Sequence, residues 1–306
     1  MFEYKDIYND LKSLGINEGD TLFLRISYKS IGEINGGPKV FLDALLDVIG
    51  DEGTIILTAF PKKHISQLRL LYRRKVYSTF NRPLPTTGAM AKAAFQFPNA
   101  KISEKIDFPF VVIGKHSDYL CKNHTFEKEG YWLLYEAANK FNCKCLRIGG
   151  EIFIGTTHIS FNNVLRANNQ YQRKLKYGLY SKINNKVKWR ETSNAVFCSN
   201  GFKKHIKKIL NEVMNVEGKV GNGYAIITDM KKSIELETKS LNEDINSILC
   251  DNDNCVICRT SFSFSNNNKL DFLLKQIKRI FSKEYKNAIL NIYSLISNII
   301  LGKNVN

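Results

Sequence analysis

Between Thr21 and Phe60 the chain reads strand, helix, strand, and no other stretch constrains the fold as much. TLFLRIS, after the turn NEGD, is an almost continuous apolar run of strand length. Gly36-Gly37-Pro38 then punctuates the chain, and KVFLDALLDVIG carries apolar residues at helical spacing up to Gly50. GTIILTAF follows as a second strand with no polar face. Strands buried on both sides and joined through a helix make a βαβ-type unit covered by helices. The expected fold class is α/β: a layered α/β/α arrangement around a largely buried mixed sheet.

The flanking segments extend this pattern. Tyr4, Ile7, Tyr8, Leu11 and Leu14 predict a helix that Gly15 stops. His64 to Asn81 lacks periodicity and reads as an irregular insertion. Thr86 or Thr87 is expected to cap a helix starting near Gly88 and ending at Pro98. FPFVVIG is another buried strand, and EGYWLLYEAANKF a helix leading into CLRIGGEIFIGTTHISFNN, residues 145–163. Here a strand should meet two glycines and then a polar loop carrying Thr-Thr-His. A loop at a strand end is where a fixed sheet presents reactive groups, and an imidazole with pKa near about 6.5 can accept a proton, which singles out His158. GLYSKINNKVKW alternates about Asn184-Asn185 as a hairpin, FKKHIKKILNEVM is helical, and KVGNGYAIITDM suggests a glycine-lined turn and strand.

Ser/Asn-rich SFSFSNNNK suggests a boundary, with a body over residues 1–262 and a linker plus basic amphipathic helix over 263–306. The apolar set of that helix includes Leu273, Leu274, Ile277, Ile280 and Phe281. Its tail falls short of the about 20 continuous apolar residues a membrane span needs. It can pack on the body, form an oligomer contact or lie on an anionic membrane. The N-terminus mixes charges with apolar residues and has no secretory pattern, so a cytoplasmic location is expected.

A net charge of +16 attracts polyanions, and it concentrates in residues 61–75, 172–190 and 202–208. These segments contain no nucleic-acid motif, so most of the lysines read as solvated surface and nucleic acid is not an expected partner. Seven cysteines, an odd number, are scattered through the chain and fit a reducing compartment. Cys250, Cys255 and Cys258 cluster, but a structural zinc site usually has four ligands and none completes this set nearby, so no metal is expected.

Several blocks resemble the aminoglycoside 3-N-acetyltransferase family, particularly members encoded with bacterial surface-polysaccharide genes. In GDTLFLRISYKSIGEINGGPKVFLDALLDVIGDEGTIILTAF, residues Ser27, Ser30, Gly32, Gly37, Ala44, Leu45, Leu46, Gly50, Gly53 and Thr54 stand where the family's pattern puts them. PTTGAMAKAAFQFPNA is similar to a second block, with Pro85, Thr86 and Gly88 matching, and residues 145–163 are similar to the family's L-L-G-V and N-T-x-x-H-x-x-E. KVGNGYA is a weaker echo.

The resemblance implies an acetyl-CoA or other acyl-CoA donor, an amino-sugar acceptor, free or nucleotide-linked, and direct amine attack on the thioester assisted by a general base. His158 is the expected base. Ser27, Ser30, Thr86 and Gly88 are expected to hold CoA through hydroxyls and backbone donors, while Arg73, Arg74 and Arg173 would grip phosphate. The sequence departs from the family where its His-Ser-Ser loop becomes Arg25-Ile26-Ser27. His158 also falls one residue short of its motif spacing: with a one-residue deletion Phe161 takes the glutamate position, and without it Ile159 takes the histidine position and Asn162 the glutamate position. Glu151, Glu104 or Asp107 is left to supply the carboxylate. The expected activity is N-acylation of a sugar amine, on a surface-glycan precursor rather than an antibiotic. The alternative is a catalytically degenerate member that acts as a scaffold in polysaccharide assembly.

Overall fold

The structure is a computed structural model and describes residues 1–60, 75–78, 84–105, 108–151, 154–168, 176–181, 186–191, 198–260, 262, 269–280, 287–292 and 296. Helix α1 (Tyr4–Ser13) leads to strand β1 (Thr21–Ile26), then α2 (Tyr28–Ile31), α3 (Pro38–Ile49) and β2 (Thr54–Thr58). After β3 (Lys75–Ser78) come α4 (Ala89–Phe95), β4 (Lys101–Ile102), β5 (Phe110–Gly114), α5 (Ser117–Asn123) and α6 (Trp132–Lys140). Strand β6 (Lys144–Ile148) passes to α7 (Thr157–Ala167), followed by β7 (Lys176–Ser181), β8 (Lys186–Glu191) and α8 (Ser199–Val213). A hairpin of β9 (Met214–Val220) and β10 (Gly223–Asp229) precedes α9 (Met230–Glu243), a 3-10 turn (Ile245–Ile248), α10 (Val256–Thr260) and α11 (Lys269–Ile280).

Seven strands form one sheet in the order β4-β5-β2-β1-β6-β10-β9. Its centre, β2-β1-β6, is parallel, and the outer strands are antiparallel. The sheet is therefore mixed, as the sequence predicts. Alternation along β1 sends Leu22 and Leu24 to the face covered by α1 and α3, where Ile7, Leu11, Phe41 and Leu45 are buried. Phe23 points to the opposite face, covered by Leu133 and Leu134 of α6, Ile206 and Ile209 of α8, and Met230 and Ile234 of α9. Strands β3, β7 and β8 make a separate sheet, and the expected hairpin is the antiparallel pair β7-β8.

Two local expectations are corrected. Thr86 and Thr87 do not cap α4: Gly88 is the N-cap, in the left-handed region at φ 113°, and the two threonine hydroxyls instead donate to Phe60 O, just past β2, and to Thr58 O, the last residue of β2. Residues 157–167 are helical rather than a polar loop. The apolar positions Phe161, Val164 and Leu165 recur at helical spacing and bury against Phe202, Leu241 and Ile248, which offsets the poor helix propensity of Thr157.

Candidate active site

The three parallel strands bring three polar loops to one edge, because parallel neighbours end on the same side. Strand β1 ends at Ile26, and the N–H of the next residue, Ser27, donates to Ile148 O at the end of β6 (2.9 Å). The chain leaves β6 through Gly149 (φ 58°) and Gly150 (φ 66°), both in the left-handed region. A Cβ on Gly149 would overlap Ser30 Oγ and Cβ, so glycine is required for this close approach as well as for its dihedral. Ser30 Oγ donates to Ser27 Oγ at 3.0 Å. Arg147, buried in β6, donates from Nη1 to Gly149 O (3.0 Å) and Gly150 O (3.1 Å) and lies against the Tyr224 ring. The glycine turn is held from several sides. Thr86 and Gly88 belong to the loop tied to the end of β2, on the same edge, and both are exposed.

His158 lies in the first turn of α7, beyond this glycine turn, with 9% of its surface exposed. Its ring stacks on Tyr131, with centroids 4.0 Å apart and planes at 11°, and meets the Phe202 ring edge-on at 4.7 Å. Burial first, and the Arg25 guanidinium second, push its pKa well below the usual imidazole range. The ring is therefore neutral at physiological pH. Arg25 and Arg147 are register partners on β1 and β6, so two arginines stand side by side in this layer.

Among the described residues the buried carboxylate of this region is Glu237 of α9, which sequence reasoning missed. Glu237 Oε1 accepts from Thr156 Oγ1 (3.0 Å) and Thr157 Oγ1 (2.9 Å), and Oε2 accepts from Ser160 Oγ (3.0 Å). Burial raises its pKa to about 7 although all three hydroxyls stabilise the anion. At about 100° per residue, the helix sets His158 roughly 150° away from the face that Glu237 binds. Glu237 thus orients the start of α7 rather than the imidazole directly. The one sequence signal was its place among Met230, Ile234 and Leu241, at i−7, i−3 and i+4 on the buried stripe of α9.

Glu151 is exposed and pairs with Lys203 of α8, and Glu104 is exposed as well. Asp107, Arg73, Arg74 and Arg173 lie outside the described residues. The expectation that the cysteine cluster lacks a fourth thiol is corrected: Cys198, at the N-cap of α8, joins Cys250, Cys255 and Cys258.

This arrangement defines first a class, a three-layer α/β protein with its polar loops gathered where the central parallel strands end. Residues 23–242 match the family model described as aminoglycoside 3-N-acetyltransferase, and the chain belongs to that family. It is 30% identical over 137 residues to the SPbeta prophage-derived aminoglycoside N(3')-acetyltransferase-like protein YokD of Bacillus subtilis (strain 168), covering 40% of this chain and 50% of that one. Against aminoglycoside N(3)-acetyltransferase III of Pseudomonas aeruginosa, identity is 26% over 127 residues, covering 38% and 46%. The chain thus spans about half the length of the curated relatives it matches. Similarity of fold runs further. The crystal structure of YokD from Bacillus subtilis superposes with a TM-score of 0.65 at 22% identity, covering 79% of this chain and 99% of that one. The structure of AAC-IIIb with CoASH gives 0.63 at 14%, covering 79% and 96%. Among the described residues no helix is long and apolar enough to cross a membrane.

Proposed function

We propose that the protein is an N-acyltransferase that moves an acetyl or short acyl group from acyl-CoA to an amino group on a sugar. The observation that carries this reading is the position of His158, buried and neutral in the first turn of α7, just past a glycine turn packed on Ser27 and Ser30. Family membership supports the CoA donor, since a relative's structure holds CoASH. The amine attacks the thioester carbonyl, the C–S bond breaks, and CoA leaves as the thiol. His158 takes the amine proton as the amide forms and returns it to the departing CoA sulfur, which leaves the base neutral again. Ser27, Ser30, Thr86 and Gly88 offer hydroxyls and backbone donors to the donor's amide arm and phosphates, with Arg73 and Arg74 as further phosphate partners.

Two features favour a glycan precursor as acceptor, free or nucleotide-linked, over a polycationic antibiotic. The chain carries +16, and the Arg25 guanidinium, in strand register with Arg147, acts on the candidate base. A second cationic partner would meet repulsion on approach and in the pocket. The basic helix α11 suits a peripheral contact with an anionic membrane where such precursors are assembled.

One observation favours a second reading, a catalytically degenerate scaffold. Proton uptake creates an imidazolium, which burial and the Arg25 guanidinium both oppose. Calorimetric titration with CoA, followed by mass spectrometry of a panel of amino sugars incubated with acetyl-CoA, separates the two. Binding together with an acetylated product is expected. Absence of CoA binding would establish the scaffold reading instead.

A further inference from the structure

We infer that Cys198, Cys250, Cys255 and Cys258 bind one zinc ion as a four-thiolate structural site. Their four Sγ atoms lie within 4.8 Å of one another, although Cys198 comes from the start of α8 and the other three from the segment around α10. Cys198 Sγ and Cys255 Sγ are 3.6 Å apart. Four sulfurs at about 2.3 Å from a tetrahedral zinc stand about 3.8 Å from one another, so this spacing is that of a tetrahedron's edge. It is far from the about 2.0 Å of a disulfide bond, and all seven cysteines are free.

The surroundings fit a metal–thiolate centre. The Cys250 N–H donates to Cys258 Sγ at 3.4 Å, the kind of backbone bond that fixes a thiolate ligand. Gly201 lies so close to the 3-10 turn that a Cβ there would overlap Ile248 O and come within 3.3 Å of Cys250 N, so glycine permits the approach that joins the two segments. Arg259, next to Cys258, donates to Cys250 O at 2.9 Å and brings positive charge to the cluster. Zinc binding replaces four S–H bonds by four Zn–S bonds and releases four protons, which leaves a net charge of −2 that Arg259, also paired with Asp253 at 3.5 Å, offsets only in part. With four protein ligands there is no open coordination position, which assigns the ion a structural rather than a catalytic role.

The ion would staple the C-terminal part to the body. Gln276 of α11 donates to Asn254 Oδ1, within the cysteine segment, at 3.1 Å. Phe202 lies one turn beyond Cys198 on α8 and packs on His158, so the metal would also steady one wall of the candidate site. The inference does not depend on His158 acting as a base.

The test is elemental analysis of the full chain, purified without chelator from cells grown with zinc. About one zinc per chain is expected, released when a mercurial blocks the thiols, with Cys198→Ser and Cys258→Ser lowering the content roughly tenfold and Cys121→Ser leaving it unchanged. Should the serine variants fail to fold, cobalt exchange into the wild-type chain decides, since a tetrahedral four-sulfur site gives intense thiolate-to-cobalt charge transfer and d–d bands. Free thiols with no bound metal, a Cys198–Cys255 disulfide in the purified chain, or iron in place of zinc would each overturn the inference.

Discussion

Thr157 Oγ1 donates to Glu237 Oε1 across 2.9 Å, joining residues 80 positions apart and fixing the first turn of the helix that carries His158. Thr156 and Ser160 complete the grip. A fully buried carboxylate held at about 7 binds a proton in the folded chain over a range where the unfolded chain has released it. Its contribution is fully present below the ordinary glutamate value of 4.5 and is lost as pH rises to about 7. The loss can reach about 3 kcal/mol. Glu237→Gln, which keeps an acceptor for the threonines, is expected to remove this pH dependence. Urea unfolding at pH 5 and pH 8 checks it: wild type loses stability between the two, and the variant loses less. An unchanged difference would assign the dependence to another group.

Glu237→Ala instead leaves buried hydroxyls without their acceptor and is expected to destabilise by about 1–3 kcal/mol. Ser160 retains the Ile234 and Thr156 carbonyls at 3.3 Å, so Thr156 and Thr157 bear most of the loss. Equilibrium unfolding of Glu237→Ala alone and with Thr156→Val plus Thr157→Val provides the check, with the combined variant expected to recover stability.

The two glycines after β6 are expected to behave differently on substitution. Alanine at Gly149 would overlap Ser30 and occupy a left-handed backbone, whereas alanine at Gly150 meets Ser27 Cβ at 3.5 Å, an ordinary contact. Both pay for the dihedral, but Gly149→Ala is expected to cost about 1–3 kcal/mol more. Thermal unfolding of the two variants and of Gly149→Ala with Ser30→Gly measures this, the double variant being expected to recover part of the loss.

Arg25 is expected to shift the acid side of the pH–rate profile, on top of the larger effect of burial. A base must be neutral to accept the amine proton, and burial with Arg25 keeps the His158 pKa well below 6.5. Any acid limb due to His158 therefore lies below that value. Arg25→Gln removes a positive charge and is expected to move the limb to higher pH. A profile of kcat/KM against pH for both proteins checks the sign, and a limb that stays in place would separate His158 from the essential base.

The sheet was largely legible in the sequence because its central strands are short and mostly apolar, as in TIILT (Thr54–Thr58) directly after Gly53. Helices α1, α3, α6 and α8 were legible from apolar spacing. The start of α7 was not, since Thr156-Thr157-His158 resembles a loop locally and becomes helical through packing of Phe161 and Leu165. Glu237 and Cys198 escaped for a different reason. Each acts through a partner about 50 to 80 positions away, and only the fold sets such distances. Glu237 left one trace, a charged residue on an apolar stripe, and Cys198 left none.

Release of CoA thiol from acetyl-CoA, measured at steady state over a panel of amino sugars with wild type and His158→Ala, tests the central claim most directly. Wild type is expected to turn over at least one amino sugar, and removal of the base should lower kcat by about 10²–10⁴ while CoA still binds. Equal turnover by the two proteins on every accepted sugar would contradict the account.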